Sequence, residues 1–195
     1  MKYILTILIG YLIGCFSSAY FVGKAYKGID IRLHGSGNAG ATNALRVMGP
    51  RLGLIAFILD VLKGIVAVVI GRLIMDFNGA MLCGFAAVLG HNYPVFLQFK
   101  GGKGVATSIG VLASLHFPSA LAGAPLAIIL IILKRYVSLG SMVFLASVPI
   151  AYVLVTRDFK KEYLILTIIL ALLSIFRHRE NISRLIAGTE NKIGR

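Results

Sequence analysis

Seven apolar runs, at about 3–23, 52–74, 79–97, 104–117, 119–133, 138–156 and 163–176, alternate with three polar stretches. The first polar stretch is GIDIRLHGSGNAGATNALRVMGP, from Gly28 to Pro50. The second is FKGGKGVATS, from Phe99 to Ser108, and the third is FRHRENISR, from Phe176 to Arg184. A membrane-spanning helix needs ~20 apolar residues, and the runs at 104–117, 119–133 and 163–176 fall short of that. Pro118 separates two of the short runs, which form either two short spans or one re-entrant pair. The pattern predicts an all-α integral membrane protein of about seven transmembrane helices, with five as the alternative. It predicts a single membrane-embedded domain over 1–195. The first run has no small-residue cleavage site after it and is long enough to span, so it reads as a retained helix.

Composition sharpens this reading. Hydrophobic residues make up 58% of the chain and charged residues 14%, against ~25% charged in soluble domains. The net charge of +13 would point to nucleic acid in a soluble protein. In a membrane protein, positive cytoplasmic loops and anionic headgroups explain it, an anionic substrate adds to it, and no nucleic-acid partner is expected. With seven spans, fourteen Lys and Arg residues lie on one side and five on the other (Lys2, Arg72, Arg157, Lys160 and Lys161). That bias puts the N-terminus outside and the C-terminus in the cytoplasm. All three polar stretches then fall on the cytoplasmic side, where they are expected to build one anion-binding site.

Within the spans, Gly10 and Gly14 have the spacing of close helix packing. Asp60 and Lys63 are three apart and share a helix face, which favours pairing with each other or with a loop residue over direct catalysis. Cys15 and Cys83 sit in apolar runs as small core residues.

The chemistry lies in the polar stretches. Lys100 to Thr107 is a glycine-rich loop leading into a helix. Gly101, Gly102 and Gly104 let backbone N–H groups approach an anion, and Lys103 supplies a point charge. The spacing is not that of a P-loop, so no nucleoside triphosphate is indicated. Ser36, Asn38, Thr42 and Asn43 can hydrogen-bond a polar substrate, and Arg46 can grip a phosphate in two-pronged fashion. Each of these residues taken singly also fits a helix cap or a turn. His178 and Asn181 are three apart on one predicted face, and histidine suits proton transfer near neutrality. Glu180 is placed to neutralise a neighbouring arginine, and His91 fits a structural role at least as well as a chemical one.

Other chemistries fit poorly. The 92–108 loop has no carboxylate, and no cysteine or histidine set has metal-ligand spacing, so neither a metal nor a cofactor is expected. No histidine is followed five positions later by aspartate, as in many glycerolipid acyltransferases. After His34, His91, His116 and His178 that position holds Ala39, Phe96, Leu121 and Ser183. An anion transporter would need a polar path through the spans, where Asp60 and Lys63 are the one clearly charged pair.

Taken together, four pieces resemble the membrane acyl-phosphate:glycerol-3-phosphate acyltransferases, the PlsY family. They are Gly35-Ser36-Gly37-Asn38-Ala39-Gly40-Ala41-Thr42-Asn43 with Arg46; His91-Asn92-Tyr93-Pro94-Val95 running into Lys100 to Thr107; Arg135-Tyr136-Val137-Ser138-Leu139; and Arg177-His178-Arg179-Glu180-Asn181-Ile182. The resemblance implies transfer of a fatty acyl group from acyl phosphate to the 1-hydroxyl of glycerol 3-phosphate, giving lysophosphatidic acid and phosphate. It implies a seven-span protein of the bacterial cytoplasmic membrane, with its site facing the cytoplasm. It assigns activity to Ser36 and Arg46, phosphate binding to Gly101 and Gly102, catalysis or binding to His178 and Asn181, and a structural role to Glu180. Lys103 joins the catalytic set, and Gly104 and Ser138 the substrate-binding set. The expected partners are acyl phosphate, glycerol 3-phosphate and membrane lipid, with the enzyme that makes acyl phosphate as a candidate protein partner. Acyl phosphate is already activated, so no covalent acyl-enzyme is required. The hydroxyl proton goes to His178 or to a phosphate oxygen of the substrate.

Overall fold

The computed structural model describes residues 1–194, and among these the regular structure is entirely helical. Nine α-helices follow in order: α1 Lys2–Cys15, α2 Ser18–Lys27, α3 Ala41–Met48, α4 Pro50–Asn92, α5 Val105–Leu115, α6 Phe117–Lys134, α7 Val137–Val155, α8 Lys161–Arg177 and α9 Arg179–Ile186. Short 3₁₀ turns at Ile31–Leu33 and Val95–Leu97 shape the two loops of the first half. Four segments are long and apolar enough to cross a membrane: Lys2–Lys27, Pro50–Leu97, Phe117–Lys134 and Val137–Val155. The third of the short runs noted above is a helix of 17 residues, α8, and the first is the 11-residue α5.

Two of the expected runs each hold one α-helix. The runs at 52–74 and 79–97 correspond to the two arms of α4, separated by non-helical backbone at Met75 and Asp76, with the second run continuing into the 3₁₀ turn at Val95–Leu97. A Cβ on Gly71 would lie 2.2 Å from the Gly79 carbonyl oxygen, so the two arms of α4 fold back on each other. Conversely, the run at 3–23 is two helices, broken at Phe16 and Ser17 by extended backbone.

The chain forms two compact units, Met1–Leu115 and His116–Arg195. In the first, α1 and α5 pack on α4. The Gly10 and Gly14 spacing does what small residues do in lipid, letting backbones touch where no hydrophobic force drives association. A Cβ on Gly10 would lie 2.3 Å from the Cys83 carbonyl oxygen, and one on Gly14 would lie 2.1 Å from that of Ala87. In the second unit, α7 packs against both α6 and α8. His116 caps α6 by accepting from the Ser119 N–H at 3.3 Å, and Tyr152 and Tyr163 are buried beside it. Large apolar residues such as Leu73, Leu133, Leu154 and Leu172 remain exposed on the outer faces, as lipid contact requires.

Candidate active site

In the first unit, the polar stretch after α2 begins with Gly28 in left-handed backbone, capping α2. Asp30 then starts a 3₁₀ turn by accepting from the Arg32 backbone N–H at 3.0 Å. The Arg32 guanidinium clasps the same carboxylate at 2.7 and 3.0 Å and donates to the Leu97 carbonyl at 3.0 Å. That hydrogen bond from Arg32, together with burial opposing it, leaves the Asp30 carboxyl below its usual range. Arg32 is therefore a bracket between this loop and the loop before α5.

Asn43 shapes the loop from within. It is 2% exposed, its Nδ2 donates to the carbonyls of Ile31 and His34, and its Oδ1 accepts from the Ser36 N–H at 2.9 Å. Asn43, counted above with the substrate-binding candidates, uses its amide on backbone and so presents Ser36. Ser36 itself is exposed, while Asn38, Thr42 and Arg46 are half-buried. Thr42 and Arg46 are four apart on α3 and share a face.

The glycine loop meets this stretch. A Cβ on Gly40 would come within 4.0 Å of the Gly102 Cα. The loop itself is wrapped round His91: the Gly102 N–H donates to the His91 carbonyl at 3.0 Å, and a Cβ on Gly102 would lie 2.0 Å from His91 Nε2. Gly104 has φ +80° and leads directly into α5. Gly101, Gly102 and Gly104 are buried and Lys103 is half-buried, so a cation sits among close-packed backbone ahead of a helix N-terminus. Beneath the loop, Lys63 pairs with Asp60 at 2.8 Å, as their spacing indicated. Ser18 donates to the same carboxylate at 2.7 Å, and Lys63 donates to the Phe16 carbonyl at 2.7 Å. The pair thus holds the break between α1 and α2. His91 belongs to this network, which its sequence context did not reveal.

In the second unit, α8 ends at Arg177 and α9 begins at Arg179, with His178 between them. His178 is 3% exposed, and its Nδ1 lies 2.8 Å from the Ser174 carbonyl oxygen. A carbonyl only accepts, so Nδ1 carries a proton here. Asn181 is 4% exposed and donates through Nδ2 to Glu190 at 2.6 Å. Ser138, at the start of α7, donates to Glu190 at 2.7 Å, so this phosphate-binding candidate meets a carboxylate of its own chain. Glu180 is exposed and carries no ion pair among the described residues. The acid that meets an arginine here is Glu190, whose Oε2 accepts from Arg184 at 2.8 Å. No spacing signal marked Glu190, because the fold brings it to Ser138 of α7 as well as to Asn181 and Arg184 of α9.

A profile described as "Glycerol-3-phosphate acyltransferase" matches residues 4–188. The chain belongs to the glycerol-3-phosphate acyltransferase family. A relative from Thermoanaerobacter sp. (strain X514), named glycerol-3-phosphate acyltransferase, is 48% identical over 196 residues, covering 100% of this chain and 97% of its own length. One of the same name from Shouchella clausii (strain KSM-K16) is 48% identical over 197 residues, covering 98% and 96%. The fold agrees with two crystal structures of PlsY (YgiH), described as an integral membrane glycerol 3-phosphate acyltransferase. Its glycerol 3-phosphate form superimposes with a TM-score of 0.88 at 37% identity, and its lysophosphatidic acid form with 0.89 at 36%. Each match covers 100% of this chain and 96% of the other. The family resemblance noted in the sequence is thereby established, as is the all-helical membrane fold.

Proposed function

We propose that this chain transfers a fatty acyl group from acyl phosphate to the 1-hydroxyl of glycerol 3-phosphate, releasing lysophosphatidic acid and phosphate. The observation that carries the reading is the junction of the two loops at Gly40 and Gly102. One loop brings Ser36, Asn38, Thr42 and Arg46, and the other brings Gly101, Gly102, Lys103 and Gly104. Hydroxyl, guanidinium, ammonium and close-packed backbone N–H groups are the donors that a phosphate monoester takes. Both proposed substrates carry such a phosphate.

The reaction needs little covalent help from the protein. A bond forms between the glycerol 1-oxygen and the acyl carbon, the bond from that carbon to the phosphate oxygen breaks, and phosphate leaves with the electron pair. The hydroxyl proton goes to a phosphate oxygen of the substrate itself or to His178. Positioning and charge neutralisation supply the rest of the rate, without an acyl-enzyme.

The protein works as one multi-pass domain of the bacterial inner membrane, with seven spans, the N-terminus outside and the site on the cytoplasmic side. The acyl chain lies in a groove between spans, open to lipid, and the enzyme that makes acyl phosphate supplies the donor. The test is lysophosphatidic acid formation by purified protein in detergent. Product that requires both substrates supports the reading, and no acyl transfer from any donor in a folded sample overturns it.

A further inference from the structure

In the first unit, the chain between α4 and the glycine loop makes a turn whose backbone suits glycine better than the residues it holds. Gln98 and Phe99 both adopt left-handed backbone, at φ +55° and +61°. Glycine, asparagine and aspartate take that region readily, and a bulky phenylalanine there is an outlier. Hydrogen bonds fix the turn. The Pro94 carbonyl accepts from the N–H groups of Leu97 and Phe99 at 3.0 and 2.9 Å. The Leu97 carbonyl accepts from the Lys100 N–H at 3.1 Å and from Arg32 Nη1 at 3.0 Å, and the Leu97 side chain is buried.

Such strain persists only where the surroundings over-determine it, and it clusters at functional places. Here it does not bury the side chains it carries. Phe99 is 58% exposed and Phe96 73%, and Leu33, next to Arg32 across the same tie, is 80% exposed. An aromatic ring gains nothing from being held out in water, so what stabilises these rings lies outside the chain. Two observations identify that surrounding as lipid. The segment Pro50–Leu97 is long and apolar enough to cross a membrane, so Val95 and Phe96 end its second arm and continue the lipid-facing surface. Phe99 is followed by the exposed Lys100, a cation of the kind that anionic headgroups attract. Large apolar side chains beside a cation suit a segment lying in the headgroup–acyl boundary.

We infer that the turn from Pro94 to Lys100 is a bilayer-inserted lip, with Phe96 and Phe99 in the headgroup–acyl boundary of the membrane the protein spans. Its consequence for the site rests on the acyl-transfer reading above. Gly101 follows Lys100 directly, so the lip holds the glycine loop at the level of lipid phosphates. A lipid-borne acyl phosphate then brings its phosphate to the loop at that level, with its chain passing the two rings into the lipid. Glycerol 3-phosphate arrives from water and has no use for the lip.

The chain has no tryptophan, so a single one reports its own surroundings. Phe96→Trp and Phe99→Trp are each placed in vesicles of phosphatidylcholine and phosphatidylglycerol. Quenching is measured with iodide in the water and with phospholipids brominated near the headgroup or deep in the acyl chains. Both tryptophans are expected to emit at shorter wavelength than the free amino acid. They are expected to be quenched severalfold more by shallow bromines than by iodide or deep bromines. Strong quenching by iodide alone puts the ring in water and overturns the inference. Quenching by none of the three means that protein covers the ring, a second copy of this chain included, and also overturns it. A kinetic measurement tests the consequence for the site. The double variant F96S/F99G removes both rings and gives position 99 the residue its backbone suits. Its KM for acyl phosphate in vesicles is expected to rise roughly tenfold, the scale of burying one large apolar side chain. Its KM for glycerol 3-phosphate and its unfolding temperature in detergent are expected to stay near wild type. An unchanged KM for acyl phosphate, or equal rises for both substrates, overturns the role in the site. Wild-type protein without acyl transfer overturns the acyl-transfer reading, while the lip itself is decided by the tryptophan quenching.

Discussion

Lys63 Nζ lies 2.7 Å from Nδ1 of His91, deep in the first unit. The same Nδ1 lies 3.5 Å from Asp60 Oδ1, so the ring faces both members of the pair through Nδ1 and turns Nε2 away from them. That Nε2 is the atom beneath Gly102. The buried Asp60–Lys63 pair thus reaches the glycine loop through one imidazole ring.

Removing one member of a buried pair leaves the other charge uncompensated, at a cost of ~3–5 kcal/mol. Lys63→Met is therefore expected to destabilise the protein by about 3 kcal/mol or more in detergent unfolding. The D60N/K63M double variant is expected to lose far less than the sum of the two singles. Simple additivity would show that the pair does not hold the α1–α2 break.

Gly102→Ala tests the ring beneath the loop. The new methyl group has no room against His91 Nε2, and the buried ring is tied by Lys63. The loop must lift, which displaces its N–H groups from the phosphate. KM for glycerol 3-phosphate is expected to rise by about tenfold or more, on the scale of one or two charge-assisted hydrogen bonds. Unchanged kinetics would remove the loop from the binding site.

Arg32 and Arg46 are alike in the sequence, but one stands in the loop and the other on α3. Arg32 is engaged with Asp30 and the Leu97 carbonyl. Arg32→Ala is expected to cost about 1–2 kcal/mol of stability and to lower activity modestly. Arg46→Ala is expected to reduce turnover roughly tenfold or more, consistent with a lost charge-assisted contact to phosphate. Paired unfolding and kinetic measurements decide, and the reverse pattern would exchange the two roles.

Much of this was legible in the sequence, for identifiable reasons. Hydropathy set the helical membrane fold because lipid leaves the backbone few alternatives. Helix spacing paired Asp60 with Lys63, and glycine spacing in α1 marked the contact with α4. The pattern did not register the helix break at Phe16 and Ser17, because it lies inside an unbroken apolar run whose backbone groups are satisfied from Lys63. The break at Met75 and Asp76 falls between the runs at 52–74 and 79–97, where the pattern already ended one span and began the next. Asn43 and Ser138 have the chemistry of substrate ligands, but composition cannot tell a donor facing the pocket from one facing its own chain. Glu190 went unmarked for the converse reason, that only the folded tail brings it to Ser138, Asn181 and Arg184.

Glu190 also gives the protein an acid-sensitive contact. Burial raises its pKa, but donation from Ser138, Asn181 and Arg184 and the Arg184 charge outweigh it, so the carboxyl sits below its usual range. The unfolded chain then takes up the proton first. The stabilisation is complete above about pH 4–5, the ordinary carboxylate range, and is lost as pH falls through it towards the folded value. Unfolding temperature should therefore drop on acidification, and Glu190→Gln should show a shallower drop. A Glu190→Gln slope equal to wild type would show that this carboxylate is not held in its ionised form by the fold.

Donor use tests the central claim most directly. Acyl phosphate, acyl-CoA and acyl carrier protein are offered in parallel with glycerol 3-phosphate, and phosphate and lysophosphatidic acid are both quantified. The account predicts one phosphate released per lysophosphatidic acid formed from acyl phosphate, release that stops without glycerol 3-phosphate, and no product from the two thioesters. Product from a thioester donor with none from acyl phosphate would contradict it.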